Sequence, residues 1–427
     1  MTHSNILYRK IIPKIKNDLE HHKIQVLIGS RQVGKTSILR YLQNELTNVI
    51  YLDMDRLFDV SMFESADAFL RYIRAHQQKP GENVTVFVDE FQQIPESGKI
   101  FKVIHDHYPD IRLILSGSSS LNIMKNLGES MAGRKRVYEI YPLDFEEHLH
   151  FIGHTYYDFF KTAENFDYLP EIFPELKHVF EMFLRHGGYP AVSLLNDSEE
   201  KIEELNDIVK SYIDKDIKAF FNIDNLLIYN KLLRRLSLNI GNLLNLQSVS
   251  ADVGLKQRNL AHYLYLLMNT FIIDLLPPFY RNKINELKKM TKLYFWDTGI
   301  RNFLIANFQA LPLRTDMGAL VENGVWSELR KNKSQLTEIK FWRTTGKSEI
   351  DFIILYEGEI IPVEVKYQKQ VKTIPRTVKS FINSYACRRA YVLTQSQTFE
   401  LTYQNATVSF LPAFFSGKIP GQLAQKQ

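Results

Sequence analysis

Gly29-Ser30-Arg31-Gln32-Val33-Gly34-Lys35-Thr36 decides how the first third of this chain is read. The stretch fills every fixed position of the phosphate-binding pattern G-x-x-x-x-G-K-[ST]. Gly29 and Gly34 permit backbone conformations and close approaches that a side chain would block. The loop amides and the start of the next helix form a nest of N–H donors for phosphate oxygens. Lys35 is placed to reach the β- and γ-phosphates of ATP, and the Thr36 hydroxyl to hold Mg²⁺. Gly29, Ser30, Arg31, Gln32, Val33, Gly34, Lys35, Thr36 and Ser37 are the expected nucleotide contacts. Residues 24–28 (IQVLI) read as a buried strand entering the loop, and residues 37–42 (SILRYL) as an amphipathic helix leaving it.

The next strands extend the pattern. Residues 48–53 (NVIYLD) and 84–88 (VTVFV) are apolar runs, and the second ends in Asp89-Glu90. A strand tip with two acids places Asp89 as a Mg²⁺ ligand beside Thr36. Glu90 then polarises the attacking water as general base. A fourth strand at 111–115 (IRLIL) ends in Ser116-Gly117-Ser118-Ser119-Ser120. Ser116 and Ser118 are candidate sensors of the γ-phosphate. The competing reading is a polar turn capping a helix at 121–124. Short strands alternating with helices predict a mostly parallel sheet with helices on both faces.

Composition bounds the rest. The chain has 427 residues, 45% hydrophobic and 24% charged, enough for two or three cored domains. Nothing approaches a membrane span, and the first residues lack a signal-peptide core. The single Cys387 excludes an intrachain disulfide and a multi-cysteine zinc site. A cytoplasmic location is the expectation. The net charge is +5, but residues 331–427 carry 14 Lys and Arg against 7 Asp and Glu. That basic end suits nucleic acid, and equally a solvated surface.

Five segments carry a resemblance: residues 29–37 (GSRQVGKTS), 86–95 (VFVDEFQQIP), 113–120 (LILSGSSS), 131–147 (MAGRKRVYEIYPLDFEE) and 183–192 (FLRHGGYPAV). In this order they resemble the prokaryotic AAA+ ATPases of the archaeal-ATPase type, which often end in a nuclease-like domain. The resemblance implies that Arg134, after Gly133, is an arginine finger or an in-cis γ-phosphate sensor. A guanidinium suits that role because it is always charged and forks onto phosphate oxygens. The alternative is a surface arginine beside Lys135 and Arg136. Arg185 is a second candidate, although its Gly-Gly-Tyr-Pro sequel also reads as a structural turn. AAA+ proteins often form rings, so a homo-oligomer is a further expectation.

The middle of the chain reads as helical from about 145 to 221, with aromatic faces better suited to core than to base stacking. Residues 248–254 form a short helix closed by Gly254, and Leu255 to Met268 a second helix. Helix, glycine turn and helix is the helix-turn-helix pattern, with wing strands at 271–276 and 292–296. Lys256, Gln257, Arg258, Asn259 and His262 are its candidate DNA contacts. Packing and protein contact are equally served by such a module.

A second constellation lies near the C-terminus. Residues 348–355 (SEIDFIIL) and 360–366 (IIPVEVK) read as strands joined by a turn at 356–359. Glu364 and Lys366 share a face because strand side chains alternate. Centring the hairpin between Glu357 and Gly358 pairs residues whose numbers sum to 715. Asp351 then faces Glu364, with Cβ atoms about 5 Å apart. Two carboxylates and a lysine make a candidate phosphodiesterase site. The carboxylates would hold Mg²⁺ or Mn²⁺, and Lys366 would orient or deprotonate the attacking water. The pattern resembles the PD-(D/E)XK nucleases, which implies Glu322, on the preceding helix, as a further metal ligand. Ile350 stands where that superfamily often has proline. The bland reading is a charge cluster on a sheet surface.

The expected fold is α/β: a P-loop NTPase (AAA+) parallel sheet at 1–145, a helical subdomain at 146–225, a winged-helix-like region at 226–297 and a restriction-endonuclease-like domain at 298–427. Two functions follow. One is an ATP-driven enzyme on DNA. The other is a nucleotide-dependent switch or scaffold for protein partners, with a non-catalytic C-terminal domain.

Overall fold

The computed structural model describes residues 8–56, 60–94, 96–118, 131–163, 170–212, 226–280, 290–346 and 348–425. They fall into two compact units. The first comprises residues 1–141 with 211–219 and 269–271, and the second the remainder.

The first unit is built on five parallel strands: β1 (Ile24–Ile28), β2 (Val49–Asp53), β3 (Val84–Asp89), β4 (Ile111–Gly117) and β5 (Lys135–Glu139), in the order β2-β3-β4-β1-β5. Every residue of β1 and β3 is buried, as expected for parallel strands covered on both faces. β2, at one edge, alternates half-buried and buried residues. β5 forms the other edge and escapes a hydropathy reading, because Lys135, Arg136 and Glu139 make it look like a surface loop. Between β1 and β2 runs the helix Lys35–Glu45. It buries Ile38, Leu39 and Leu42 and starts directly after Gly34, which has φ 95°. Residues 121–124, the candidate capped helix, lie outside the described residues.

In the second unit the middle segment places Phe145, Phe160, Phe173, Phe180, Phe183 and Tyr189 in the core. Phe145 and Phe180 are fully buried and pack edge-to-face, with ring centroids 5.1 Å apart. Phe414 and Phe415, from the 3-10 turn Ala413–Lys418, join the same cluster. A three-helix segment, Leu226–Ser237, Leu246–Val253 and Gln257–Asn269, leads into the two-stranded antiparallel pair β6 (Ile273–Leu276) and β7 (Lys292–Phe295). The short helix begins two residues before the expected 248, since the Asn245 side chain accepts the Ser248 N–H as cap. Gly254, at φ 78°, closes it.

A six-stranded mixed sheet follows, made of β8 (Glu338–Arg343), β9 (Glu349–Tyr356), β10 (Glu359–Val365), β11 (Arg389–Thr394), β12 (Phe399–Tyr403) and β13 (Ala406–Pro412). Its order is β12-β13-β11-β10-β9-β8. β9 and β10 pair antiparallel from Glu359↔Tyr356 to Val363↔Phe352, the register whose numbers sum to 715. Glu357 and Gly358 both have positive φ (47° and 85°), the geometry of a two-residue turn matched to strand twist. The helices Met317–Asn332 and Arg376–Tyr385 complete this region. Ile350, Ile353, Val378, Phe381, Val392 and Phe410 form much of its apolar core.

Candidate nucleotide site and the C-terminal acid cluster

The phosphate loop leaves β1 and is shaped by close contacts. A Cβ on Gly29 would lie 2.1 Å from the Ile140 carbonyl oxygen, so this glycine is required by an approaching chain and not by its own φ. Gly34 (φ 95°) and Gln32 (φ 60°) turn the backbone into the helix. Lys35 Nζ donates to the Gly29 and Ser30 carbonyls at 3.0 and 2.8 Å, closing the loop on itself. Arg9 holds the loop from outside, donating to the Val33 and Tyr141 carbonyls at 2.7 and 2.9 Å. Nothing in the local motif pointed to Arg9. Its sequence signal is a basic residue ahead of a short amphipathic helix, Ile12–Asp18.

Opposite the loop, Asp89 is 2% exposed and ringed by hydroxyls. Thr36 Oγ1 donates to its Oδ2 at 2.7 Å and Tyr51 to the same oxygen at 2.8 Å, while Ser116 donates to Oδ1. Burial, then the charge of Asp89, pushes the Tyr51 phenol pKa up, so it stays a donor. Glu90 sits in the left-handed region (φ 56°) at the strand tip. Its Oε2 accepts from Gln92 Nε2 and, at 3.3 Å, from Ser118. The two serines thus divide their work: Ser116 serves the first acid and Ser118 the second. The hard oxygens of Thr36 and Asp89 fit a Mg²⁺ ion, which supplies charge neutralisation on the phosphates when bound.

Arg134 lies elsewhere. Its carbonyl accepts from Ile24 N at the start of β1, whereas the phosphate loop follows Ile28. The two ends of that strand are about 13 Å apart at the usual strand rise. Its guanidinium donates to Asp106 at 2.7 Å and, with His105, holds that carboxyl well below its usual range. In its own chain Arg134 therefore does not reach the loop, and the in-cis sensor expectation is corrected. Arg185 belongs to the second unit, where its carbonyl accepts from Asn302. The Gly-Gly that follows is a packing joint. A Cβ on Gly187 would meet Asp297 Oδ1 at 2.2 Å, and Gly188 N donates to Asp297 Oδ2 at 2.7 Å.

The C-terminal acids do converge. Asp351 is half-buried, and its Oδ2 accepts from Val365 N at 2.8 Å. Burial, then the charges of Glu322 and Glu364, pushes its carboxyl well above the usual range. Burial raises Glu364 as well, against the pull of Lys366, whose Nζ lies 2.7 Å from Oε1. Glu364 Oε2 is buried with no hydrogen-bond partner among the described residues. Lys292 is the residue the sequence reading missed. Only 1% exposed, its ammonium lies 2.9 Å from Glu322 and 2.5 Å from Glu349. Burial alone would lower its pKa, but Glu322, Asp351 and Glu349 outweigh that and raise it. Tyr294 also donates to Glu322, at 2.6 Å. The available signal was a lysine opening an otherwise apolar strand, LYFW.

These donors do not fit a metal as they stand. Lys292 engages Glu322 and Glu349, and Lys366 engages Glu364. Among the described residues no group of three or more His, Cys, Asp or Glu is arranged to hold a metal ion. No described helix is long and apolar enough to cross a membrane.

Comparison with known proteins agrees with the first unit. A family model described as an AAA domain matches residues 21–149. Two models described as domains of unknown function (DUF8612 and DUF4143) match residues 177–311 and 317–414. Residues 21–149 form a P-loop ATPase domain of the AAA+ class, which binds and hydrolyses ATP. An uncharacterized protein of Methanocaldococcus jannaschii is 26% identical over 396 residues, covering 88% of this chain and 84% of its own. One from Haemophilus influenzae is 25% identical over 363 residues, covering 81% and 82%. Among solved structures, a Walker-type ATPase of Pyrococcus abyssi superposes with TM-score 0.48 and 15% identity, over 69% of this chain and 95% of that one.

Proposed function

We propose that this chain is a nucleotide-dependent switch: ATP binding and hydrolysis in the first unit control association with a protein partner, and the C-terminal fold is a binding module that does not cut nucleic acid. The observation that carries the second half is Lys292, whose buried ammonium neutralises Glu322 and Glu349 from within. In this reading Lys35 and Ser37 contact the nucleotide phosphates, Thr36 and Asp89 hold Mg²⁺, and Glu90 polarises water once Gln92 and Ser118 release it. Arg134 acts only across subunits, if a homo-oligomer forms. The test is a cleavage assay on single-stranded, duplex and branched DNA with Mg²⁺ or Mn²⁺, with and without ATP, run beside ATP-dependent pull-down of a protein partner. Cleavage that disappears in Asp351→Ala while ATP hydrolysis survives would overturn the non-catalytic reading.

One observation favours a second reading, the DNA enzyme. Lys256, Gln257, Arg258, Asn259 and His262 are all exposed at the start of the helix Gln257–Asn269, the recognition position of a winged helix. DNA that stimulates ATP turnover would support this reading. Turnover indifferent to DNA would leave the switch.

A further inference from the structure

Asp89 carries the metal in any P-loop mechanism, yet a carboxylate on a strand tip is free to rotate about its terminal bond. Here both oxygens are held. Ser116 donates to Oδ1, and Tyr51 donates to Oδ2 at 2.8 Å from the neighbouring strand β2. Tyr51 is itself held. The Arg40 guanidinium carbon lies 3.7 Å from the centre of its ring, a cation–π contact, and Arg40 is anchored to Gln43 at 3.1 Å. Arg40 follows Thr36 by four residues, so both side chains leave one face of the helix Lys35–Glu45. The chain of contacts therefore closes: Thr36 to Asp89, Asp89 to Tyr51, Tyr51 to Arg40, and back along the helix to Thr36.

We propose that Tyr51, clamped by Arg40, is a positioning residue that fixes the plane of the Asp89 carboxylate and so sets how tightly the site holds its divalent cation. With the plane fixed, the Thr36 proton is directed onto Oδ2 and the lone pairs of its oxygen are left pointing outward, available to a metal. Without the phenol, Oδ2 keeps only the Thr36 donor, and the carboxylate and the hydroxyl turn together. Arg40 touches neither the acid nor the nucleotide loop in this scheme. Its part is to hold the ring. The inference rests on the ATP-site reading and is independent of what the C-terminal fold does.

The test uses the full chain and Mn²⁺ as probe, followed by electron paramagnetic resonance, with the ADP-dependent fraction taken as the difference between samples with and without ADP. Tyr51→Phe removes one oxygen and keeps the ring. We expect its ADP-dependent Mn²⁺ affinity to fall about tenfold, the loss of one hydrogen bond to a charged acceptor, with metal-free ADP affinity unchanged. Arg40→Ala should give a smaller loss in the same direction, and Arg40→Lys should recover part of it. Unchanged Mn²⁺ affinity in Tyr51→Phe overturns the proposal. So does an equal loss of metal-free ADP binding, which would mark Tyr51 as a merely structural support. Absence of any ADP binding in the unaltered chain would instead defeat the ATP-site reading.

Discussion

Thr36 and Asp89 stand 53 residues apart in the chain and are joined by a 2.7 Å hydrogen bond from hydroxyl to carboxylate. Parallel pairing produces that contact. β3 reaches the crevice at the same level as β1 because β4 lies between them in register with both. The bond brings the two candidate metal ligands together before any metal arrives, so the site binds without first assembling itself.

Lys35→Ala should abolish ATP hydrolysis, by at least about a hundredfold, because a charge-stabilising donor is lost from the phosphate site. It should also loosen the loop, since Lys35 bonds the Gly29 and Ser30 carbonyls. Steady-state phosphate release is the measurement. Full residual activity would remove the phosphate-loop assignment.

Gly29→Ala tests a different property of the same loop. The added methyl would lie 2.1 Å from the Ile140 carbonyl oxygen, which is backbone and cannot swing away. We expect about 2 kcal/mol of destabilisation of the loop, typical of overpacking, and weakened ADP binding. Normal ADP binding in a folded Gly29→Ala protein would show that the β5 end yields easily.

The parts of the site legible in sequence were those where spacing alone sets geometry. Lys35 and Thr36 belong to one loop. Asp351 and Glu364 meet because a two-residue turn fixes the hairpin register. Asp89 was legible because an apolar run ending in acids can hardly be anything but a buried strand tip. What escaped were partners delivered by the tertiary fold. Tyr51 reaches Asp89 from a neighbouring strand, Arg9 reaches Val33 from the N-terminal segment, and Lys292 reaches Glu322 and Glu349 from β7. No local pattern encodes such a meeting. Lys292 still left a trace, for a lysine in an apolar strand must find carboxylates if it is buried.

Lys292→Met should expose that debt. It leaves the half-buried Glu322 with Tyr294 and Glu349 with Arg343 but without the shared ammonium, and the loss should be about 1–3 kcal/mol, short of the cost of stripping a fully buried pair. All three tryptophans, Trp296, Trp326 and Trp342, lie in the second unit, so urea unfolding followed by their fluorescence reports on it alone. An unchanged unfolding free energy would show that the ammonium contributes nothing to this unit. Where the variant folds, it should also gain Mn²⁺ affinity that disappears with Asp351→Asn, because a divalent ion can then replace the missing charge.

His148 and His186 set the acid limit of the same unit. His148 bonds Ser193 Oγ at 3.0 Å and His186 bonds Ser198 Oγ at 3.0 Å. Burial, then the charge of Lys201, lowers His148 to about 3 and His186 to about 4, from an ordinary value near 6.5. The sign follows from linkage. Between those values the unfolded chain binds protons that the folded unit refuses, so falling pH favours unfolding. The stability due to the two neutral rings is complete above about pH 6.5 and is lost as the pH drops through that value toward 4. Asp351 has the opposite sign: its raised pKa makes the fold lose stability as pH rises above the ordinary carboxylate range. Tryptophan-detected unfolding free energy should therefore fall most steeply between pH 6 and 4, and His148→Gln should flatten that fall, since an amide can hold Ser193 and cannot take up a proton. A decline of unaltered slope in His148→Gln would remove this histidine from the account and shift the acid sensitivity to the carboxylates.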